Sequence, residues 1–128
     1  MALSESEIYA RIGDEGFTRL VAAFYRRIPT DDILGPMYES MGEDLAAAER
    51  RLRLFLIGRF NGPQSYLLER GHPRLRMRHA PFKVDVEGAK RWLSLMSAAM
   101  VEAEIPEDVA AVLWPYFQNT AAAMVNHG

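Results

Sequence analysis

Phe17-Thr18-Arg19-Leu20-Val21-Ala22-Ala23-Phe24-Tyr25-Arg26-Arg27-Ile28-Pro29 decides the fold class. Phe17, Leu20, Val21, Phe24, Tyr25 and Ile28 recur at steps of three and four, which draws one apolar stripe along a helix, and Pro29 ends it. Upstream, Ser4 and Glu7 have capping-box spacing and predict a short first helix that ends near Gly13 and Gly16. Downstream, Thr30 to Gly42 is rich in Asp, Gly and Pro and reads as loop and short turns, pinned to the core by Met37, Tyr38 and Met41.

The helical period then returns. Asp44 is suited to cap a helix running toward Phe60, with Leu45, Ala48, Leu52, Phe55 and Leu56 inward and Glu49, Arg50 and Arg53 mostly outward. Asn61, Gly62 and Pro63 stop it. From there to Pro81 the chain reads as irregular, with Gly71, Pro73 and Pro81 limiting any helix to a turn or two around Leu75 to Ala80. Asp85 caps a further predicted helix carrying Val86, Ala89, Trp92, Leu93, Met96, Ala99 and Met100, which ends near Glu104. A last helix begins around Pro106, and Pro115 inside it predicts a kink or break near Trp114. Four amphipathic helices and no strand alternation make an all-α domain, single over residues 1–128. The irregular stretch of roughly eighteen residues exceeds the usual connection length, which marks it as functional.

Composition bounds the chemistry. A chain of 128 residues with 49 % hydrophobic and 25 % charged residues is globular rather than disordered. At this size it buries about two thirds of its unfolded surface and needs no cross-link. It has no cysteine, which excludes disulfide frameworks, thiolate nucleophiles, cysteine zinc sites and iron–sulfur clusters. A metal would have to use histidine or carboxylate. Fifteen Lys and Arg against seventeen Asp and Glu give a net charge of -2, so no global field draws the chain to nucleic acid or an anionic membrane. Without a basic leader or a long apolar run, it reads as a soluble cytoplasmic protein with no membrane partner.

Of three histidines, His127 is terminal, His72 sits between Gly71 and Pro73, and His79 lies at the end of the predicted short helix before Pro81. His79 is the better positioned, although a lone histidine is more often a cap or surface group than a ligand. Glu69 and His72 have di-iron spacing once, but Gly71 and Pro73 make helical presentation poor. No phosphate loop or hydrolytic triad spacing appears. Tyr25, Tyr38 and Trp92 are polar-tipped aromatics on apolar faces. Each would singly pack as core, and together they point to a polar pocket. Arg70, Arg74, Arg76 and Arg78 form the one strong charge cluster, suited to carboxylate or phosphate.

The string Gly71-His72-Pro73-Arg74-Leu75-Arg76-Met77-Arg78-His79-Ala80-Pro81-Phe82 resembles the proximal segment of the group II truncated haemoglobins. The likeness continues through Phe24-Tyr25, Tyr38, Asp44-Leu45, Arg51 to Leu56, Gly62-Pro63, Trp92-Leu93 and Met124-Val125-Asn126. It implies a globin-like, truncated two-on-two helical sandwich around a non-covalently held haem b, with His79 as the iron ligand. Tyr25, Tyr38 and Trp92 then match the distal polar positions, and Ala48 and Leu52 the distal-helix positions facing the iron. Arg78 and Arg51 become candidates for the propionates, and Phe55, Leu56, Leu75, Met77, Phe82 and Met96 apolar walls.

The resemblance implies binding of dioxygen and other diatomic ligands. Alanine at position 48 cannot donate a hydrogen bond, so ligand stabilisation passes to the tyrosines and the indole, and slow release is expected. Strong donors tilt the reading toward peroxide or nitric oxide redox chemistry served by a reductase, on a monomer or homodimer. The competing reading is a haem-free helical interaction module that binds phosphate or nucleic acid through Arg70 to Arg78. The near-neutral charge argues against it.

Overall fold

The computed structural model describes residues 2–42, 44–71 and 84–126, and within them the fold is all-helical. A 3-10 turn at Glu5–Glu7 leads into α1, Ile8–Arg26, followed by α2, Leu34–Ser40, and α3, Leu45–Arg59. The remaining described helices are α4, Ser65–Arg70, α5, Val86–Glu102, and α6, Glu107–Met124. The turn has the expected capping box, with the Ser4 amide donating to Glu7 Oε1 at 2.8 Å. The Asp44 carboxylate accepts from the Ala46 amide at 3.1 Å and that of Asp85 from the Gly88 amide at 2.8 Å, so both predicted caps hold.

α1 packs on α3 and on α5, α5 packs on α6, and the result is two helix pairs laid across one another. The core between them is drawn from Phe17, Leu20, Val21 and Phe24 of α1, Leu56 and Ile57 of α3, Met96 and Ala99 of α5, and Val109, Leu113 and Phe117 of α6. Among the described residues no helix is long and apolar enough to cross a membrane.

The observed elements agree with the sequence reading at Gly13 and depart from it at three places. The first helical segment does end at Gly13, as the sequence predicts, and a second begins directly after it. Gly13 adopts φ 63° and ψ -174°, a non-helical conformation that glycine reaches without a side-chain clash, so α1 comprises two helical segments that meet at a kink there, the second running on to Arg26. The stretch from Thr30 to Gly42 contains α2, because the Asp31 carboxylate caps it and Pro36 falls in its first turn, where a missing N–H costs nothing.

The chain after Pro63 is likewise not wholly irregular. It forms α4, held by the Tyr66 ring edge-on to Phe55 at 5.4 Å and by a two-pronged Arg50–Glu69 pair at 2.7 and 2.8 Å. Finally, α6 runs unbroken through Pro115. The carbonyl that loses its donor belongs to exposed Ala111, open to solvent, while Leu113 and Phe117 on either side are anchored in the core. The turn expected around Leu75 to Ala80 lies outside the described residues.

Candidate functional site

A cavity opens among the six described helices. α3 contributes Ala48, Arg51, Leu52, Phe55 and Leu56, five residues at helical steps that form a single stripe. Facing it are Val84, Gly88, Ala89 and Trp92 in and just before α5, and Tyr116, Phe117, Thr120, Ala121 and Met124 of α6. α2 closes one end with Leu34, Met37 and Tyr38, and α4 contributes Tyr66 and Arg70. Small residues on opposed faces, Ala48 against Gly88, Ala89 and Ala121, leave the space that larger side chains would fill.

The polar aromatics converge at the end nearest α2. Tyr25, buried at the close of α1, meets Tyr38 edge-on with ring centroids 6.0 Å apart. Phe24 touches Tyr25 at 5.3 Å and Trp92 at 5.2 Å, so one phenylalanine braces two of the three. Phe117 supports the other side of the indole at 5.7 Å. T-shaped contacts of this kind orient a ring through its quadrupole, which fixes where its O–H or N–H can reach.

Of the residues singled out from sequence, Tyr25, Tyr38, Trp92, Ala48, Arg51, Leu52, Phe55 and Leu56 all line this one cavity. Met96 is fully buried in the core and is not on the lining. His79, Arg78, Leu75, Met77 and Phe82 lie outside the described residues. The described chain stops at Gly71, directly after the cavity residue Arg70, and resumes at Val84, itself on the lining. Val84 is fastened to the end of the chain: its amide donates to Asn126 Oδ1 at 2.7 Å, and the Asn126 amide donates to its carbonyl at 2.8 Å.

Sequence reasoning missed Tyr66, Tyr116 and Thr120 as lining residues. Tyr116, Thr120 and Met124 share a four-residue step along α6, a signal that was present but partly hidden behind Pro115. Burial pushes the Tyr116 phenol pKa up, against the lowering effect of the Thr120 hydroxyl. The Arg59 guanidinium lies over its ring, 4.8 Å from the centroid.

These features, a two-on-two helical sandwich enclosing an apolar cavity with clustered phenols and an indole, define a globin-like protein. The profile of the bacterial-like globin family matches residues 7–126. A group 2 truncated haemoglobin of Bacillus subtilis is 36 % identical over 126 residues, covering 98 % of this chain and 93 % of the relative. Among solved structures, a thermostable haemoglobin from the actinobacterium Thermobifida fusca superposes with a TM-score of 0.85 at 44 % identity, covering 97 % of this chain and 98 % of the other. A haemoglobin from Chloroflexus aurantiacus gives 0.87 at 42 %, covering 94 % and 98 %. The chain therefore belongs to the truncated (two-on-two) haemoglobin family, with group II members among its structural relatives.

Proposed function

We propose that the protein holds haem b in this cavity, with His79 as the iron's protein ligand, and binds dioxygen and other diatomic ligands with slow release. The observation that carries the proposal is the convergence of Tyr25, Tyr38 and Trp92 on one end of an otherwise apolar cavity. A flat macrocycle with two carboxylate arms needs apolar walls and nearby cations. Leu52, Phe55, Leu56 and Phe117 supply the walls, and Arg51 and Arg70 line the same cavity. Arg78 joins them as a proposed propionate partner, and Leu75, Met77 and Phe82 as proposed walls. Arg70 and Val84, which flank the His79 stretch in sequence, both border the cavity, and this supports the assignment. A related protein of known structure, 37 % identical, is described as a truncated oxygen-avid haemoglobin from Bacillus subtilis.

Bound haem supplies an iron with an open coordination position for a diatomic ligand. The chain's own residues set how long a ligand stays. Ala48 leaves room on α3 without offering a donor, so the phenols of Tyr25 and Tyr38 and the Trp92 indole N–H do the donating. A hydrogen bond to a partly charged acceptor in a dry pocket is worth about 1.5–3 kcal/mol. Apolar walls exclude water that would compete for the same donors. Long residence of a polarised ligand suits peroxide or nitric oxide chemistry, with a reductase returning electrons.

Oxygen dissociation by stopped flow tests this reading. Trp92→Phe should release oxygen about ten- to a hundredfold faster than the parent protein. A parent that releases oxygen as fast as Trp92→Phe, Tyr25→Phe and Tyr38→Phe would overturn the assignment of these donors.

A further inference from the structure

One carboxylate outside the cavity ties together the elements that build its polar end. Asp31 Oδ2 accepts from the amides of Ile33 at 3.0 Å and Leu34 at 2.7 Å, which caps α2. Its other oxygen, Oδ1, accepts from Arg91 Nη1 at 2.8 Å, on α5 directly before Trp92. Its backbone is engaged as well, with the amide donating to the Ile28 carbonyl and the carbonyl accepting from Gly35, both at 3.0 Å. The side chain is 8 % exposed, whereas that of Asp32, which also meets Arg91, is 81 % exposed. Water and salt weaken the Asp32 contact and leave the Asp31 contact firm.

α2 has seven residues, too few to hold its own shape or place without tertiary anchors. Its second anchor is a tight seat on α5, where a Cβ at Gly88 would lie 2.6 Å from the Met37 methyl carbon. Tyr38, on the same turn as Met37, therefore stands where the Asp31–Arg91 bond and this seat put it. Neither Asp31 nor Arg91 lines the cavity.

We propose that Asp31, anchored through Arg91, is a positioning residue that clamps α2 onto α5 and so holds the Tyr38 phenol in its donating position; this rests on the ligand-binding role given above to Tyr38. A donor displaced by a fraction of an ångström loses much of its effect, so loosening the clamp speeds ligand release through Tyr38 alone.

The experiment is a double-mutant cycle on the haem-loaded protein, paired with amide hydrogen exchange on the haem-free protein. Asp31→Asn should raise the oxygen dissociation rate about fivefold in the parent and leave it within about 1.5-fold in a Tyr38→Phe background. Exchange at the amides of Leu34 to Ser40 should quicken in Asp31→Asn without haem. Arg91→Gln should behave in the same direction and serves if Asp31→Asn does not fold. Equal acceleration in both backgrounds, no acceleration in either, or unchanged α2 exchange would overturn the clamp. A parent that takes up no haem would defeat the functional reading instead, and the exchange measurement would still decide the clamp.

Discussion

Tyr116 is the residue whose environment most directly reports burial. Its phenol is pushed above the ordinary value of 10.0 chiefly by desolvation, so the folded chain holds that proton more firmly than the unfolded chain does. A raised folded-state value means the contribution is intact below pH about 10 and is lost as pH climbs through the folded value. Tyr116→Phe should flatten that part of the alkaline loss, measured as urea unfolding midpoints at several pH values above neutrality. A variant with the parent's alkaline profile would contradict it. Tyr25 and Trp92 were legible in the sequence because a polar tip on an apolar helical face stands out, and Tyr38 because it is a large ring in a turn-rich stretch of small and polar residues. Tyr66 was not, since it lies in a stretch whose flanking Pro63 and Gly71 hid a helix of six residues.

At the scale of elements, the end of α5 carries a testable strain. The Ile105 amide donates to the Met100 carbonyl at 3.0 Å and the Glu104 amide to Val101 at 3.1 Å, the paired bonds of a Schellman motif. Glu104 occupies its left-handed position with φ 56°, where a glycine would carry no Cβ penalty. Glu104→Gly should therefore stabilise the protein by about 0.5–1 kcal/mol and raise the melting temperature by a few degrees, as thermal denaturation would show. A lower melting temperature would mean the glutamate side chain matters more than its backbone. The long helices α3, α5 and α6 and the part of α1 after Gly13 were readable because three-and-four spacing sustained over several turns outweighs single exceptions. α2 and α4 were not, because short helices depend on contacts from elsewhere, the Asp31 cap and the Arg50–Glu69 pair, that no local pattern encodes. Pro115 does not break α6, one of the two outcomes expected there, because core anchoring by Leu113 and Phe117 outweighs the local penalty.

At the scale of the molecule, two crossed helix pairs meet in an aromatic core and leave a cavity where α3, α5 and α6 each turn small side chains inward. The family resemblance carried by Gly71 to Phe82 is matched by the fold of the described residues and by the relatives, which agree over nearly the whole chain. The proposal of His79 as iron ligand rests on the sequence string itself, because what surrounds an imidazole depends on tertiary packing that spacing alone does not specify. A ligand that binds the folded state stabilises it by mass action, so haem should raise the melting temperature progressively as its free concentration exceeds the dissociation constant. The absorption spectrum of the purified protein, compared with that of His79→Ala, tests the central claim most directly. The account predicts an intense haem Soret band in the parent that is lost or displaced in the variant and recovers its position when free imidazole is added. A colourless, stably helical parent that takes up no haem, or a His79→Ala spectrum identical to the parent's, would contradict it.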